Sequence, residues 1–147
     1  MQAHDVETEP GRRTFAIVFD AGEEVAEGLL AVVTEKAIAG AYFTGIGALS
    51  GVTLGYWDWE TRDYRRIPVP EQVEVLSLAG NVAIGDDGRP RVHAHIVVGK
   101  SDGTAHGGHL LEARVRPTLE VMLIEVPELL RRRHDSRTGL PLLDFNE

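Results

Sequence analysis

The sequence predicts an α+β domain: a mostly antiparallel β-sheet with one main N-terminal helix, in one compact unit. Two observations carry this. One stretch in the first third of the chain repeats its apolar residues at helical spacing, and a strand precedes it. After it, segments that alternate apolar and polar residues are separated by turn-forming glycines, prolines and aspartates. Strand, helix, then a run of strands suits an α+β fold. No linker, repeat or second domain interrupts the order.

Residues 1–13 read as a flexible polar lead-in, and 14–147 as a single domain that includes the C-terminal tail. TFAIVFD (14–20) alternates and reads as a strand. A helix is expected over about 22–39. Asp20 can cap it, Glu23 and Glu24 suit its first turn, and Val25, Leu29, Val32, Val33 and Ala37 share one face. Gly40 would end it. Glycines 45, 47, 51 and 55 suggest two short strands joined by a tight turn. DYRRIPVP continues as a strand to Pro68, and 71–84 reads as a central strand. GDDGRP is a turn. Residues 91–99 and 104–115 are strands flanking KSDG, and 118–127 is another, ended by proline. The tail reads as a short helix or turn followed by an ordered extension.

The chain has 147 residues, 43% hydrophobic and 26% charged, enough for one soluble core. It contains no cysteine, so any metal must be held by His, Asp or Glu. The net charge of −8 disfavours DNA, since a domain that neutralises phosphates usually presents a basic surface. No apolar run has the length of a membrane span, and the polar, acidic N-terminus is unlike a signal peptide. A cytoplasmic location without membrane partners is the expectation.

Four of the six histidines fall between 93 and 109. His93 and His95 share a strand face. If Ser101-Asp102-Gly103 is a three-residue hairpin loop with Gly103 left-handed, Lys100 pairs with Thr104. His95 then lies opposite His109 on the same face, and His106 opposite Val98 on the other. A two-residue loop would shift the register by one and remove His109 from the face. Opposed Cβ atoms are roughly 4.5–5.5 Å apart. Three imidazoles so placed can converge on one ion at about 2.0–2.1 Å per nitrogen. Neutral imidazoles favour zinc or a similar divalent transition metal, with one position left for water or substrate. Glu74, Glu112 and Glu120, each on an expected strand, are candidate carboxylates to orient a histidine or act as general base. His106, His4 and His134 read as surface residues.

Other motifs are weaker. GIGALSG lacks the Lys-Ser/Thr of a P-loop. Gly88-Arg89-Pro90 has the core of an AT-hook, but Asp86 and Asp87 oppose phosphate approach and the tripeptide reads as a turn. Arg131-Arg132-Arg133 reads as a solvated helix end, or as partners for carboxylates of a neighbour. Trp57 and Trp59 are expected on one strand face, in the core or at an interface.

Four stretches, GIGALSGVTLGYWD (45–58), VEVLSLAGNVA (73–83), RPRVHAHIVVGKSDGTAHGGHL (89–110) and VRPTLEVML (115–123), resemble the plants and prokaryotes conserved (PPC) domain family over about 14–126. The resemblance implies a compact α+β domain that assembles as a homotrimer. In plants the domain is joined to AT-hook motifs, and stand-alone bacterial members carry a DNA-binding label by that analogy. The His-x-His…Gly-Gly-His pattern also resembles acetolactate decarboxylase, a zinc enzyme. Matched by motif, its metal ligands fall on His93, His95 and His109. Its arginine and glutamates find no clear match, so the metal-site architecture is implied and decarboxylation is not.

The expected function is a trimeric zinc-binding PPC-type domain whose three-histidine site binds or transforms a small acidic, carboxylate-bearing ligand. Whether it is an enzyme is left open. A DNA-binding regulatory protein and a non-catalytic trimeric interaction module are the alternatives.

Overall fold

The protein is described by a computed structural model covering residues 1–9 and 12–145. Its elements are β1 (Gln2–Glu9), β2 (Arg12–Asp20), α1 (Val25–Glu35), β3 (Gly40–Asp58), β4 (Asp63–Val69), β5 (Val73–Ile84), β6 (Pro90–Gly99), β7 (Ala105–Glu125), β8 (Arg132–Asp135) and β9 (Leu140–Leu143). The first seven strands form one sheet in the order β1-β2-β7-β6-β5-β3-β4, and β8 and β9 form a separate hairpin. Every named pairing is antiparallel. β3 also pairs with β7, so β3, β5, β6 and β7 close on themselves as a four-strand ring. The α+β architecture, with one helix among the described residues, is as the sequence predicts.

Strand alternation decides what the ring encloses. Ala94, Ile96 and Val98 of β6 point inward with Leu78 of β5, Leu49 and Leu54 of β3, and Leu119 of β7, all buried. The intervening residues His93, His95 and Val97 are left on the outer face. α1 packs on β6 and β7, burying Val25, Leu29, Val32 and Val33.

The helix is shorter than expected at both ends. Glu24, not Asp20, is the N-cap, with its carboxylate accepting from Glu27 N–H at 2.8 Å. The last turn closes well before Gly40. Ala37 takes φ 53°, Ala37 N–H donates to Thr34 O at 3.2 Å, and Ile38 N–H donates to Val33 O at 2.9 Å. This Schellman ending turns Ile38 back into the core.

Three further expectations are corrected. Residues 2–9 of the expected lead-in are strand β1, which covers the edge of β2. The pair of short strands expected between 40 and 60 is one continuous strand, β3. Its glycines mark bulges and close approaches, not a turn: a Cβ on Gly47 would strike the Thr118 carbonyl of β7. Likewise 105–125 is one strand running through Arg116-Pro117, where the register with β3 shifts. The tail holds no helix among the described residues; it forms the β8–β9 hairpin.

Candidate metal centre

The β6–β7 hairpin sets the site. Lys100 N–H donates to Thr104 O and Gly103 N–H to Lys100 O, both at 2.9 Å, and Gly103 sits at φ 82°. The Asp102 carboxylate pins the exit, accepting from Thr104 N–H at 2.9 Å and from its hydroxyl at 2.6 Å. The loop is therefore the three-residue type. His95 lies opposite His109, and His106 opposite Val98.

Ring nitrogens of His93, His95 and His109 lie within 4.8 Å of one another. His95 is exposed, and the other two are half-buried. Burial, followed by nearby positive charge, pushes both His93 and His109 down to about 4. Both rings are thus neutral at pH 7, and a neutral imidazole offers one nitrogen lone pair. His109 Nδ1 is buried and has no hydrogen-bond partner. Three convergent imidazoles, two of them held neutral by burial and one with an orphaned nitrogen, fit a divalent transition metal.

Two aromatics hold the third histidine. Tyr64 of β4 stacks on His109 with ring centroids 4.6 Å apart, and Trp57 of β3 meets Tyr64 edge-on at 5.0 Å. Trp59 lies beyond the end of β3, 63% exposed, so the two tryptophans do not share one strand face.

The β8–β9 hairpin brings a group the sequence did not single out. Arg132 is buried, 6% exposed. Its Nη2 donates to Asn81 Oδ1 at 2.6 Å and lies 2.9 Å from His93 Nδ1, and its Nη1 donates to Pro141 O at 2.9 Å. Arg132 Nε is buried without a partner. The middle arginine of three was expected in a solvated helix end; on a strand it faces opposite to its neighbours, which stay exposed. That alternation was the available signal. A neutral His93 that accepts at Nδ1 carries its proton on Nε2. Metal ligation by a neutral His93 therefore ends the Arg132 bond, whether the ion takes Nδ1 itself or takes Nε2 and the proton moves to Nδ1.

A cavity of about 440 Å³ opens beside these groups. His93, His109, Arg132 and Tyr64 line it, with Val92, Leu140, Pro141 and Leu142 as an apolar wall. Its two aspartates are engaged: Asp87 pairs with Arg91 at 2.7 Å, and Asp86 accepts from His134 N–H at 3.1 Å.

None of the three candidate glutamates lines this cavity. Glu74 pairs with Gly99 and Ala48, five residues along β5 from the partner of His95, roughly 15 Å away. Glu112 is exposed and bound to Arg66 at 2.6 Å. Glu120 stands on an outer apolar face between Val18 and Ile46. Gly88-Arg89-Pro90 lies in a hydrogen-bonded turn, with Gly85 N–H donating to Arg89 O at 2.9 Å and Gly88 at φ 75°.

Residues 6–127 match the Plants and Prokaryotes Conserved (PCC) domain, abbreviated PPC above. A PPC protein of Pyrococcus horikoshii is 34% identical, with TM-score 0.84, covering 92% of this chain and 93% of that one. A metal-containing protein of Archaeoglobus fulgidus is 32% identical, with TM-score 0.82 and coverages of 97% and 96%. A Bacteroides thetaiotaomicron protein whose name proposes DNA binding is 29% identical, with TM-score 0.85 and 97% of both chains covered. α-Acetolactate decarboxylase of Bacillus subtilis, at 12% identity and TM-score 0.58 over 88% of this chain and 59% of that one, shares the fold alone. Among curated proteins, the bifunctional protein GlmU of a Synechococcus strain is 34% identical over 103 residues. The matched part is 69% of this chain but only 15% of that protein.

Proposed function

Since the chain belongs to the Plants and Prokaryotes Conserved domain family, we propose that it is a metal-binding member whose three-histidine centre holds zinc or another divalent transition metal and binds or transforms a small acidic ligand. The observation that carries the reading is the convergence of His93, His95 and His109 within 4.8 Å beside an open cavity. The name of the Archaeoglobus neighbour, a metal-containing protein, supports it.

His93, His95 and His109 would hold the ion. Bound there, it would polarise an oxygen ligand or lower the pKa of a bound water. Tyr64 fixes the His109 ring, and Asn81 fixes Arg132. Glu74, Glu112 and Glu120 lie away from the cavity of their own chain, so any part they take in the centre comes across a subunit boundary.

A homotrimer is part of this proposal. Val18, Ile46 and Met122 form an exposed apolar face on β2, β3 and β7, the kind of surface that assembly covers. A cytoplasmic location goes with the same reading; no helix among the described residues is long and apolar enough to cross a membrane.

Elemental analysis tests the centre, on protein purified without a histidine tag or added metal. Near-stoichiometric zinc, lost in His93→Ala and His109→Ala, is expected. Metal content unchanged when all three histidines are alanine would end the reading.

DNA binding is the second reading, favoured by the name of the Bacteroides neighbour. Three chains would carry −24, from −8 each, so association should be weak and steeply salt-dependent. Tight, saturable mobility shifts at low salt would make it the better one. A trimeric interaction module without chemistry stands behind both, and a protein that takes up neither metal nor ligand would favour it.

A further inference from the structure

Arg132 is the unusual charge of this molecule. It is buried, yet no carboxylate pairs with it among the described residues; its partners are an amide oxygen, a peptide oxygen and an imidazole nitrogen. Its Nε proton has no acceptor at all. A buried guanidinium without a counter-ion is costly, and the cost falls when an anion arrives. The neighbouring aspartates do not supply it, since Arg91 and the His134 N–H engage them.

A divalent cation on the three histidines would sharpen the problem. It would place two more positive charges next to the guanidinium, while the carboxylates that line the cavity, Asp86 and Asp87, are turned to the His134 N–H and Arg91. An incoming carboxylate would offset part of this charge. A second oxygen on the adjacent carbon would let one ligand reach Arg132 and the ion together, because both would stand beside His93.

The cavity then selects the remainder of the ligand. About 440 Å³ is far more than a two- or three-carbon acid fills. Apart from the Gly85–Asp87 turn and Arg91, its remaining wall is apolar: Val92, Leu140, Pro141, Leu142 and the Tyr64 ring. Such a wall favours a hydrocarbon or aromatic tail over a polar one.

We infer that Arg132 is the carboxylate-recognition residue of the cavity and that the ligand is a 2-oxo or 2-hydroxy monocarboxylic acid with an apolar side chain. This rests on the metal reading for the second oxygen only; the contact between Arg132 and the carboxylate stands without it.

The test is calorimetric titration of 4-methyl-2-oxopentanoate, pyruvate and the methyl ester of the former into zinc-loaded and metal-free protein. The branched acid should bind zinc-loaded protein on the order of tenfold or more tighter than pyruvate. The ester should bind far more weakly than the acid. Arg132→Gln should lose on the order of tenfold to a hundredfold in affinity while keeping one zinc per chain. Arg132→Lys, which keeps the charge, should recover part of the loss. Thermal melts of both variants show whether the hairpin still folds. Equal binding of acid and ester, or wild-type acid affinity in a folded Arg132→Gln variant, overturns the inference while leaving the metal reading intact. Failure of zinc to bind overturns the metal reading instead. In that case, Arg132-dependent acid binding to metal-free protein still upholds the carboxylate site, and its absence refutes it.

Discussion

His95 lies directly across the β6–β7 ladder from His109, with ring centroids 5.4 Å apart, and His106 stands on the opposite strand face. The two kinds of position predict opposite outcomes. His95→Ala and His109→Ala should each weaken zinc binding by at least on the order of a hundredfold, read by competition with a chromophoric chelator. His106→Ala should leave the affinity unchanged. A loss at His106 as large as at His109 would mean that the register does not make the site.

Arg132 draws on a lone pair of His93 and adds a positive charge beside the ligands. Both oppose a cation. Arg132→Gln should therefore bind zinc as tightly as wild type or more so, in the absence of any acid. The same competition assay checks this, and weaker zinc binding in a folded variant would count against it.

The metal-free protein should be acid-sensitive. His93 and His109 titrate near 4 when folded, against an ordinary value of 6.5. Both values are lowered by folding, so between about 6.5 and 4 the unfolded chain binds more protons, and stability falls as pH drops through that window. Above 6.5 both states are neutral and nothing is lost. Melting temperature should decline by several degrees from pH 7 to pH 5 without metal, and much less with stoichiometric zinc. In His93→Ala/His109→Ala the decline should shrink.

Ala37 closes the helix in a left-handed conformation at φ 53°, where glycine is at home. Ala37→Gly should stabilise the protein by about 0.5–1 kcal/mol in urea unfolding. A destabilised variant would show that Ala37 is held by side-chain packing instead.

Ile46, 62% exposed, centres the apolar face proposed for assembly. Ile46→Glu should convert a trimer to monomers in light scattering while leaving zinc binding in place. A wild-type protein that is already monomeric at micromolar concentration would remove the assembly proposal.

What the sequence made legible was set by local chemistry. The hairpin register could be read because Asp102 and Gly103 determine the loop from within four residues, and the histidine set follows from that register. The long strands could not be read. The same glycines that signal turns here let β3 pass close to β7, and that demand comes from a strand some seventy residues away. Arg132 failed for the same reason: its burial depends on β8 docking beside Asn81 and His93, which three consecutive arginines do not announce.

The family match stops at residue 127, and Arg132 stands on the hairpin beyond it. That hairpin meets the ring through few bonds, among them Ile84 N–H to Leu130 O at 2.8 Å and Arg132 to Asn81. Arg132 thus reaches His93 from a segment separate in sequence from the histidine strands. Exchanging the last twenty residues for another hairpin, with the splice after Pro127, offers a route to redesign selectivity on an unchanged histidine scaffold.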